Sequence, residues 1–367
     1  MKGRNITTRF FKDFFPPPQY LRFPSVGVDI SNQSLRIIEL VRRHGRTEIG
    51  KWGEHKIPAG IIYRDAITDE SELKTTLEEV KKKYNLKFIH VSLPEDKAYV
   101  FNTTIARIPV KEIRGSLELQ LEENVPLRPD EVEFDFTIIG EDTAHDSLRL
   151  GVAVFPKVFI DRLTALLESV GLTALSYRVS ADAIAAAVTS KTDLSANMIV
   201  NFGEERTGIY IAIKGAAVFS STLNFGAAAL LSGIQKHFGV THEEALKIRR
   251  GANNPYNKSS MQLFYSVINP ISALKDEINR ILLYWKTHKD KQGSISAPVS
   301  SIILCGSNSN MPAMDEYLSL SLKLPTHSAE VWKNALDLDD YIPPITHAQS
   351  LDYAAAVGLA LGEETLL

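Results

Sequence analysis

"VGVDISNQSLRIIEL", Val26 to Leu40, is an apolar strand, a short polar turn opened at Asp29, and a second apolar strand. A looser copy, "IVNFGEERTGIYIAI", runs from Ile199 to Ile213 and carries Asn201 where the first carries Asp29. Runs of Val, Ile and Leu bounded by Ser, Asn, Gly and Asp read as hairpins. Two hairpins of one kind in one chain indicate a duplicated domain folded around a central cleft, with a turn from each half facing it. Such a pair of turns suits a phosphate chain, because main-chain N–H groups in tight turns form an anion-binding concavity and Gly permits close approach.

Outward from the first hairpin, "LRIIELVRR" and "RTEIGKWGEHKIP" supply further strands. "DESELKTTLEEVKKKYN" (Asp69–Asn85) has helical spacing with Ser71 as candidate cap, and "FIHVSLP" (Phe88–Pro94) returns as a buried strand. This order predicts a mixed sheet covered by a helix. Residues 95–171 read as an inserted unit with its own small core. In it, "KAYVFNTTIARIP" is a strand and "KEIRGSLELQLEENVP" a helix with Ile113, Leu117 and Leu121 on one face. "EVEFDFTIIG" and "LRLGVAVFP" are alternating strands, and "KVFIDRLTALLESVG" is a second helix stopping at Gly171.

Past the apolar helix "SADAIAAAVTS" and the second hairpin, "GAAVFSSTLNFGAAALLSGIQKHFG" gives strand, Gly226, then helix. "THEEALKIRRG" is a helix capped by Thr241. "MQLFYSVINPISALKDEINRILLYWKTHK" is one long helical region, bent or broken at Pro270. "SIILCGSNSNMPAMDEYLSLSL" is strand, Gly-containing turn and helix, and "SLDYAAAVGLAL" is a small-residue helix suited to close packing.

At 367 residues the chain is too long for one hydrophobic core and comfortable for two. A composition 44% hydrophobic and 23% charged is that of a globular protein, and a net charge of -3 gives no reason to expect nucleic acid as a partner. The single cysteine, Cys305, rules out an internal disulfide framework and fits a reducing compartment. No Cys/His cluster has metal-ligand spacing, no "GxxxxGK[ST]" is present, and the nine histidines are scattered away from any nucleophile setting. No apolar run approaches the roughly 18–20 residues that span a bilayer. Residues 1–24 are no secretory signal, since Lys12, Asp13 and Pro16 to Pro18 interrupt them, so a cytoplasmic location is expected. Phe10, Phe11, Phe14 and Phe15 in this arm suit either a docking or membrane-surface element or packing on the arm's own domain.

The first hairpin, "FIHVSLPEDKAYVFNTTIARIP", "LELQLEENVPLRPDEVEFDFTIIG" and "IILCGSNSNMPAMDEYL" together resemble the actin-like ATPase superfamily, and within it the PilM family of type IV pilus assembly proteins. The resemblance covers nearly the whole chain after residue 24, and the second and third segments are its more specific part. It implies an α/β, actin-like (ribonuclease H-like, duplicated) fold with two lobes around a nucleotide cleft and an inserted α+β subdomain, 1C. The implied division is an aromatic and Pro-rich arm at 1–24, the first actin-like half (1A) at 25–94, 1C at 95–171, a return to 1A at 172–197, and the second half (2A/2B) at 198–367 with a carboxy-terminal helix closing 1A.

The same resemblance implies an ATP site with Mg²⁺, and marks where this chain departs from it. Asp29 is kept as the carboxylate that holds Mg²⁺ through water, whereas Ser31 stands where relatives commonly have Gly, followed by Asn32 in "DISNQS". Arg36 lies where related loops often have Lys. The expected Asp of the second loop is Asn201, although Gly203 and the downstream Gly226 survive. Cys305 replaces a Gly in the third turn, where Gly306 and Ser307 remain, and Glu277 and Arg280 in "DEINRIL" match the helix that contacts adenosine. Each also has a plainer reading: Asp29, Asn201 and Gly306 suit turns, and Arg36 and Arg280 suit solvated faces. A cleft this degenerate is expected to bind nucleotide weakly and not to turn it over efficiently, with no residue assigned to catalysis.

The function implied is a cytoplasmic scaffold, peripheral to the inner membrane, that binds the short cytoplasmic tail of a PilN-like inner-membrane protein, with self-association left open. Two other classes compete. A divisome-type, FtsA-like membrane-associated homologue would end in a basic amphipathic tail, yet "GLALGEETLL" is acidic. A sugar-kinase-type enzyme would need intact glycines and a substrate-side carboxylate, neither of which stands out.

Overall fold

The computed structural model describes residues 25–43, 45–58, 61–63, 66–142, 145–250, 258–287 and 297–362, so the arm at 1–24 and the last residues from 363 lie outside the described residues. β1 (Ser25–Ile30), β2 (Ser34–Arg43) and β3 (Arg46–Lys56) form an antiparallel meander. A short ladder of β4 (Ile62–Tyr63) and β5 (Ala66–Ile67) leads into α1 (Glu70–Tyr84), and β6 (Phe88–Leu93) returns parallel to β1. The chain then leaves this sheet for β7 (Tyr99–Ala106), α2 (Val110–Asn124), β8 (Val132–Asp142) and β9 (Ser147–Pro156), an antiparallel sheet in the order β7-β9-β8 with a helix. α3 (Lys157–Ser169) brings it back to β10 (Thr173–Val179), parallel to β6, and α4 (Ser180–Val188) leads to the second lobe.

There the pattern repeats. β11 (Ala196–Phe202), β12 (Thr207–Ile213) and β13 (Ala216–Leu223) form the meander, followed by α5 (Ala227–Phe238), α6 (His242–Arg250) and α7 (Lys258–Thr287). β14 (Val299–Cys305) lies parallel to β11, and after α8 (Met314–Leu322) the short β15 (Thr326–Ser328) lies parallel to β14. The strand orders β3-β2-β1-β6-β10 and β13-β12-β11-β14-β15 are the same topology twice. α9 (His347–Ser350) and α10 (Ala354–Ala360) return the chain to the first lobe. This is the duplicated α/β fold that the twin hairpins imply.

Local chemistry explains the boundaries. Asp69, rather than Ser71, caps α1: its carboxylate accepts the Glu72 N–H at 3.0 Å, and a residue one turn back from the buried Leu73, Leu77 and Val80 is the one whose side chain reaches the free first-turn donors. Thr241 does cap α6, its Oγ1 accepting the Glu244 N–H at 3.3 Å while the Glu244 carboxylate accepts the Thr241 N–H at 2.9 Å. α7 runs unbroken through Pro270. The Ser266 carbonyl, which loses its helical donor there, faces Gly233 of α5, where a Cβ would lie only 2.5 Å away. Leu263, Val267, Ile271, Leu274 and Ile278 stay buried in the second-lobe core on both sides of the proline, which holds the helix together.

The inserted sheet buries Ile113, Leu117 and Leu121 of α2 against Leu148, Leu150, Val152 and Val154 in a core of its own. α3, grouped with the insert by its sequence position, instead buries Leu163, Leu166 and Leu167 in the first-lobe core. β7 and β9 also lie against β13, and Ile139 joins the second-lobe core, so the insert touches both lobes.

Candidate site in the cleft between the two turns

In the registers, Asp29 pairs with Arg36 and Asn201 with Gly208, so Asp29 and Asn201 occupy corresponding places in the two lobes. The Ser31 N–H donates to the Ser34 carbonyl at 2.9 Å to close the first turn, and Ser31 Oγ donates to the same oxygen at 2.9 Å. The Gly203 N–H donates to the Arg206 carbonyl at 3.0 Å to close the second. Two of the main-chain donors that a phosphate would require are therefore spent inside their own turns.

Across the cleft, the turns meet through side chains. Asn32 Nδ2 donates to Glu205 Oε2 at 3.0 Å and Gln33 Nε2 donates to Glu205 Oε1 at 2.8 Å. Arg206 pairs with Asp96, and the Tyr210 hydroxyl donates to Glu95, both in the turn after β6. Tyr210 is fully buried, and burial with Glu95 beside it pushes its hydroxyl well above the ordinary tyrosine range. Asn201 Nδ2 reaches the same hydroxyl at 3.5 Å.

Beneath the first turn lies a charge cluster. Arg36 NH2 is 2.8 Å from the half-exposed Glu54, Asp29 stands opposite Arg36 in the hairpin register, and Asp352 and Tyr353 are near enough to act on the same charge. Burial pushes the Asp29 carboxyl up, against the pull of Arg36 and of a hydrogen bond with Ser92. Burial likewise raises Asp352 to about 6, although Arg36 opposes it. Arg36 is held above its usual range: burial pulls it down, but Asp352, Glu54 and Asp29 together outweigh that. Arg36 is thus the cation of a structural cluster, paired with Glu54 and with Asp29 its neighbour across the hairpin.

The third turn belongs to the second lobe and locks onto the first. Gly306 has φ +88°, its N–H donates to Leu351 O at 3.0 Å, and a Cβ would lie 2.6 Å from Asn201 Oδ1, which is why this position takes glycine. Asn308 Nδ2 donates to Gly203 O at 2.6 Å, and Arg249 bridges Asn308 Oδ1 at 2.6 Å and Glu204 Oε1 at 2.8 Å. Ser307 Oγ accepts from Asn308 Nδ2 at 3.4 Å. Gly226 passes directly under the second turn, where a Cβ would meet Glu204 O at 2.4 Å. Cys305 is fully buried, and burial raises its thiol, so it behaves as a small hydrophobe. Glu277 and Arg280 pair with each other at 2.5 Å on the outward side of α7, between the buried Leu274, Ile278 and Ile281.

Ser31, Asn32, Gly203, Gly226, Asn201, Gly306 and Ser307 thus gather around the cleft, while Asp29 and Arg36 turn into the cluster below it. Sequence reasoning misses Gln33, Glu205, Glu95, Asp96, Arg249 and Asp352. The one visible sign is the charged run "GEER" in a turn expected to be glycine-rich. Side-chain donors for a phosphate are present in Asn32 and Gln33 but taken by Glu205. Donors for Mg²⁺ fit less well, because Asp29 is buried against Arg36 and Asn201 is an amide. Among the described residues no group of three or more His, Cys, Asp or Glu is arranged to hold a metal ion.

Beside the first turn, Ile30, Ile67, Leu73, Pro94, Phe159 and Leu163 line an apolar pocket with Asn32 and Ser92 at its edge. It sits where β1, α1, β6 and α3 converge. Among the described residues no helix is long and apolar enough to cross a membrane.

Several solved structures are similar in fold. The PilM-PilN type IV pilus biogenesis complex is matched over 93% of this chain and 98% of the other, with a TM-score of 0.70 and 15% identity. The ethanolamine utilization protein EutJ from Carboxydothermus hydrogenoformans is matched over 94% and 91%, with a TM-score of 0.53 and 12% identity. MreB5 of Spiroplasma citri bound to ADP is matched over 94% and 97%, with a TM-score of 0.53 and 11% identity. These likenesses establish an actin-like ATPase fold. The family model for the type IV pilus assembly protein PilM matches residues 27–364, nearly the full described length, and the chain therefore belongs to the PilM family of type IV pilus assembly proteins.

Proposed function

We propose that this chain is a cytoplasmic scaffold, peripheral to the inner membrane, that captures the short cytoplasmic tail of a PilN-like inner-membrane protein in an apolar pocket of the first lobe beside its first turn. The observation that carries the reading is the apolar pocket lined by Ile30, Leu73, Pro94, Phe159 and Leu163. A short extended segment can seat one or two aliphatic side chains there while its backbone finds polar partners at the rim, the pocket-plus-main-chain mode of peptide capture. The neighbouring PilM-PilN complex is consistent with a partner of that kind. A synthetic peptide of the PilN-like tail from the same genome, titrated by fluorescence anisotropy, tests it. Phe159→Asp, at a half-buried position on the pocket wall, is expected to weaken binding at least about tenfold with the far-UV spectrum unchanged. Equal affinity of the two proteins would sink the pocket reading.

Nucleotide, in this reading, biases the angle between the lobes and so tunes the affinity for the tail, a population shift rather than turnover. Asn201→Asp checks the cleft separately. The new carboxylate would stand beside Tyr210 and near Glu95, so it is expected to bind Mg²⁺·ATP about tenfold tighter than the native chain and to gain nothing for ATP without Mg²⁺. Calorimetry with and without the metal reads this difference. A gain that ignores Mg²⁺ would mean that Asn201 does not stand at a metal position.

A further inference from the structure

The cleft is filled by the chain itself. Glu205 stands between the two turns, and both of its oxygens are used, one by Asn32 Nδ2 at 3.0 Å and one by Gln33 Nε2 at 2.8 Å. A carboxylate is anionic and accepts hydrogen bonds only, the same demands a phosphate oxygen makes. Because Glu205 has no proton to give, the Asn32 amide must turn its Nδ2 outward, which sends its Oδ1 inward. That oxygen is buried and finds no partner among the described residues. An unpartnered buried carbonyl disfavours this orientation, so Glu205, and not the amide's own surroundings, holds Asn32 in place.

The neighbouring residues of the same turn divide the work. Glu204 is anchored in its own lobe by Arg249, at 2.8 Å and 3.1 Å. Arg206 reaches across to Asp96, beside the Tyr210–Glu95 contact. Glu205, although solvent-exposed, is therefore presented to the tip of the opposite turn from between two residues that are each held in place.

From this we infer that Glu205 is a resident occupant of the first turn, a built-in surrogate for phosphate that clasps the two lobes shut, and that a nucleoside polyphosphate reaches Asn32 and Gln33 only by displacing it. The clasp stands on the contacts alone, and the competition rests on the proposed reading of the cleft as a phosphate site. A tethered competitor acts at a high effective concentration, and apparent affinity falls with the fraction of molecules that are open. Weak nucleotide binding is then a property of the clasp as well as of the missing carboxylate at Asn201.

Hydrogen exchange of the full chain without ligand, in the native protein, Glu205→Ala and the double variant Asn32→Ala/Gln33→Ala, tests the clasp. Amides of residues 31–34 and 95–97 are expected to exchange about tenfold faster in both variants, with no further gain when the two are combined, as for partners in one contact. Unchanged exchange, or effects that add, would overturn the clasp. Titration of the same proteins with ATP and with inorganic pyrophosphate tests the competition. Glu205→Ala is expected to bind about tenfold tighter than native, the scale of losing two charge-assisted hydrogen bonds to a rival. Equal binding by native and Glu205→Ala overturns the competition while leaving the phosphate site. No binding by either, with exchange accelerated, overturns the phosphate reading and the competition together.

Discussion

Arg36→Met is expected to lower stability at pH 7 by about 1–3 kcal/mol, the scale of removing the cation that favours the charged form of a buried carboxylate, since Arg36's own ion-pair partner Glu54 is half exposed. Arg36 has 15% of its side chain exposed and pairs with Glu54 at 2.8 Å, and its charge also acts on the nearby Asp29 and Asp352. Methionine keeps the apolar stem but removes the charge that favours the ionised forms of Asp29 and Asp352. The loss should shrink as pH falls toward 4, because those carboxylates then take up protons. Urea unfolding at pH 7 and pH 4.5 measures both values, and a loss that is the same at the two pH values would sink the electrostatic account.

One cation among three carboxylates also gives the native protein a pH signature. Asp352 is raised to about 6 from an unfolded value near 3.8, chiefly by burial. Its folded form therefore holds a proton more tightly than its unfolded form, so its contribution is fully present below pH 3.8 and is lost as pH rises through about 6. That gap corresponds to roughly 3 kcal/mol at neutral pH. Asp352→Asn, which keeps the shape and stays neutral, should gain up to that amount at pH 7 and flatten the stability profile between pH 4 and 6.

The second large effect falls on the helix that closes the first lobe. Gly358→Val is expected to cost about 3 kcal/mol or more, because a Cβ there would stand 1.7 Å from the Ala183 carbonyl oxygen. Gly27 makes the reciprocal approach on β1, where a Cβ would lie 2.0 Å from Ala356 O. Both obstacles are backbone atoms, which no rotamer change can move, so α10 would have to lift from α4 and β1. Leu351, just ahead of α10, accepts the Gly306 N–H, and the third turn of the cleft should loosen with it. Thermal unfolding should drop by on the order of 10 °C, with faster proteolysis near residue 306. Gly115→Ala is the control: nothing lies within 4 Å of a Cβ at that helical position, and a gain of about 0.5–1 kcal/mol is expected.

Much of the fold is legible in the chain itself. Val26–Leu40 and Ile199–Ile213 each show strand periodicity around a turn, and local pattern is enough to say that the domain is doubled. The insert shows itself in the same way, through Ile113, Leu117 and Leu121 on one helical face. Helix ends are less legible: Asp69 and Ser71 are both good caps, and only the position of the buried face, Leu73 to Val80, selects between them. Pro270 by itself suggests a break, and the tertiary contact of Gly233 with the freed Ser266 carbonyl removes it.

The cleft divides along the same line. Sequence alone determines which residue types stand on the two turns, Asp29 and Ser31 to Gln33 on one and Asn201 to Arg206 on the other, because hairpin register follows from alternation and turn length. Where their side chains point depends on partners far away in the chain. Arg36 pairs with Glu54 on the adjacent strand but feels the charge of Asp352 from the far end of the chain, and Glu205 is turned across the cleft by Asn32 and Gln33, more than 170 residues away. Charge pairing between elements brought together by folding leaves no periodic trace in sequence. The doubled hairpin is therefore a local property of the chain, and the closed, carboxylate-filled cleft is decided only when the two lobes meet.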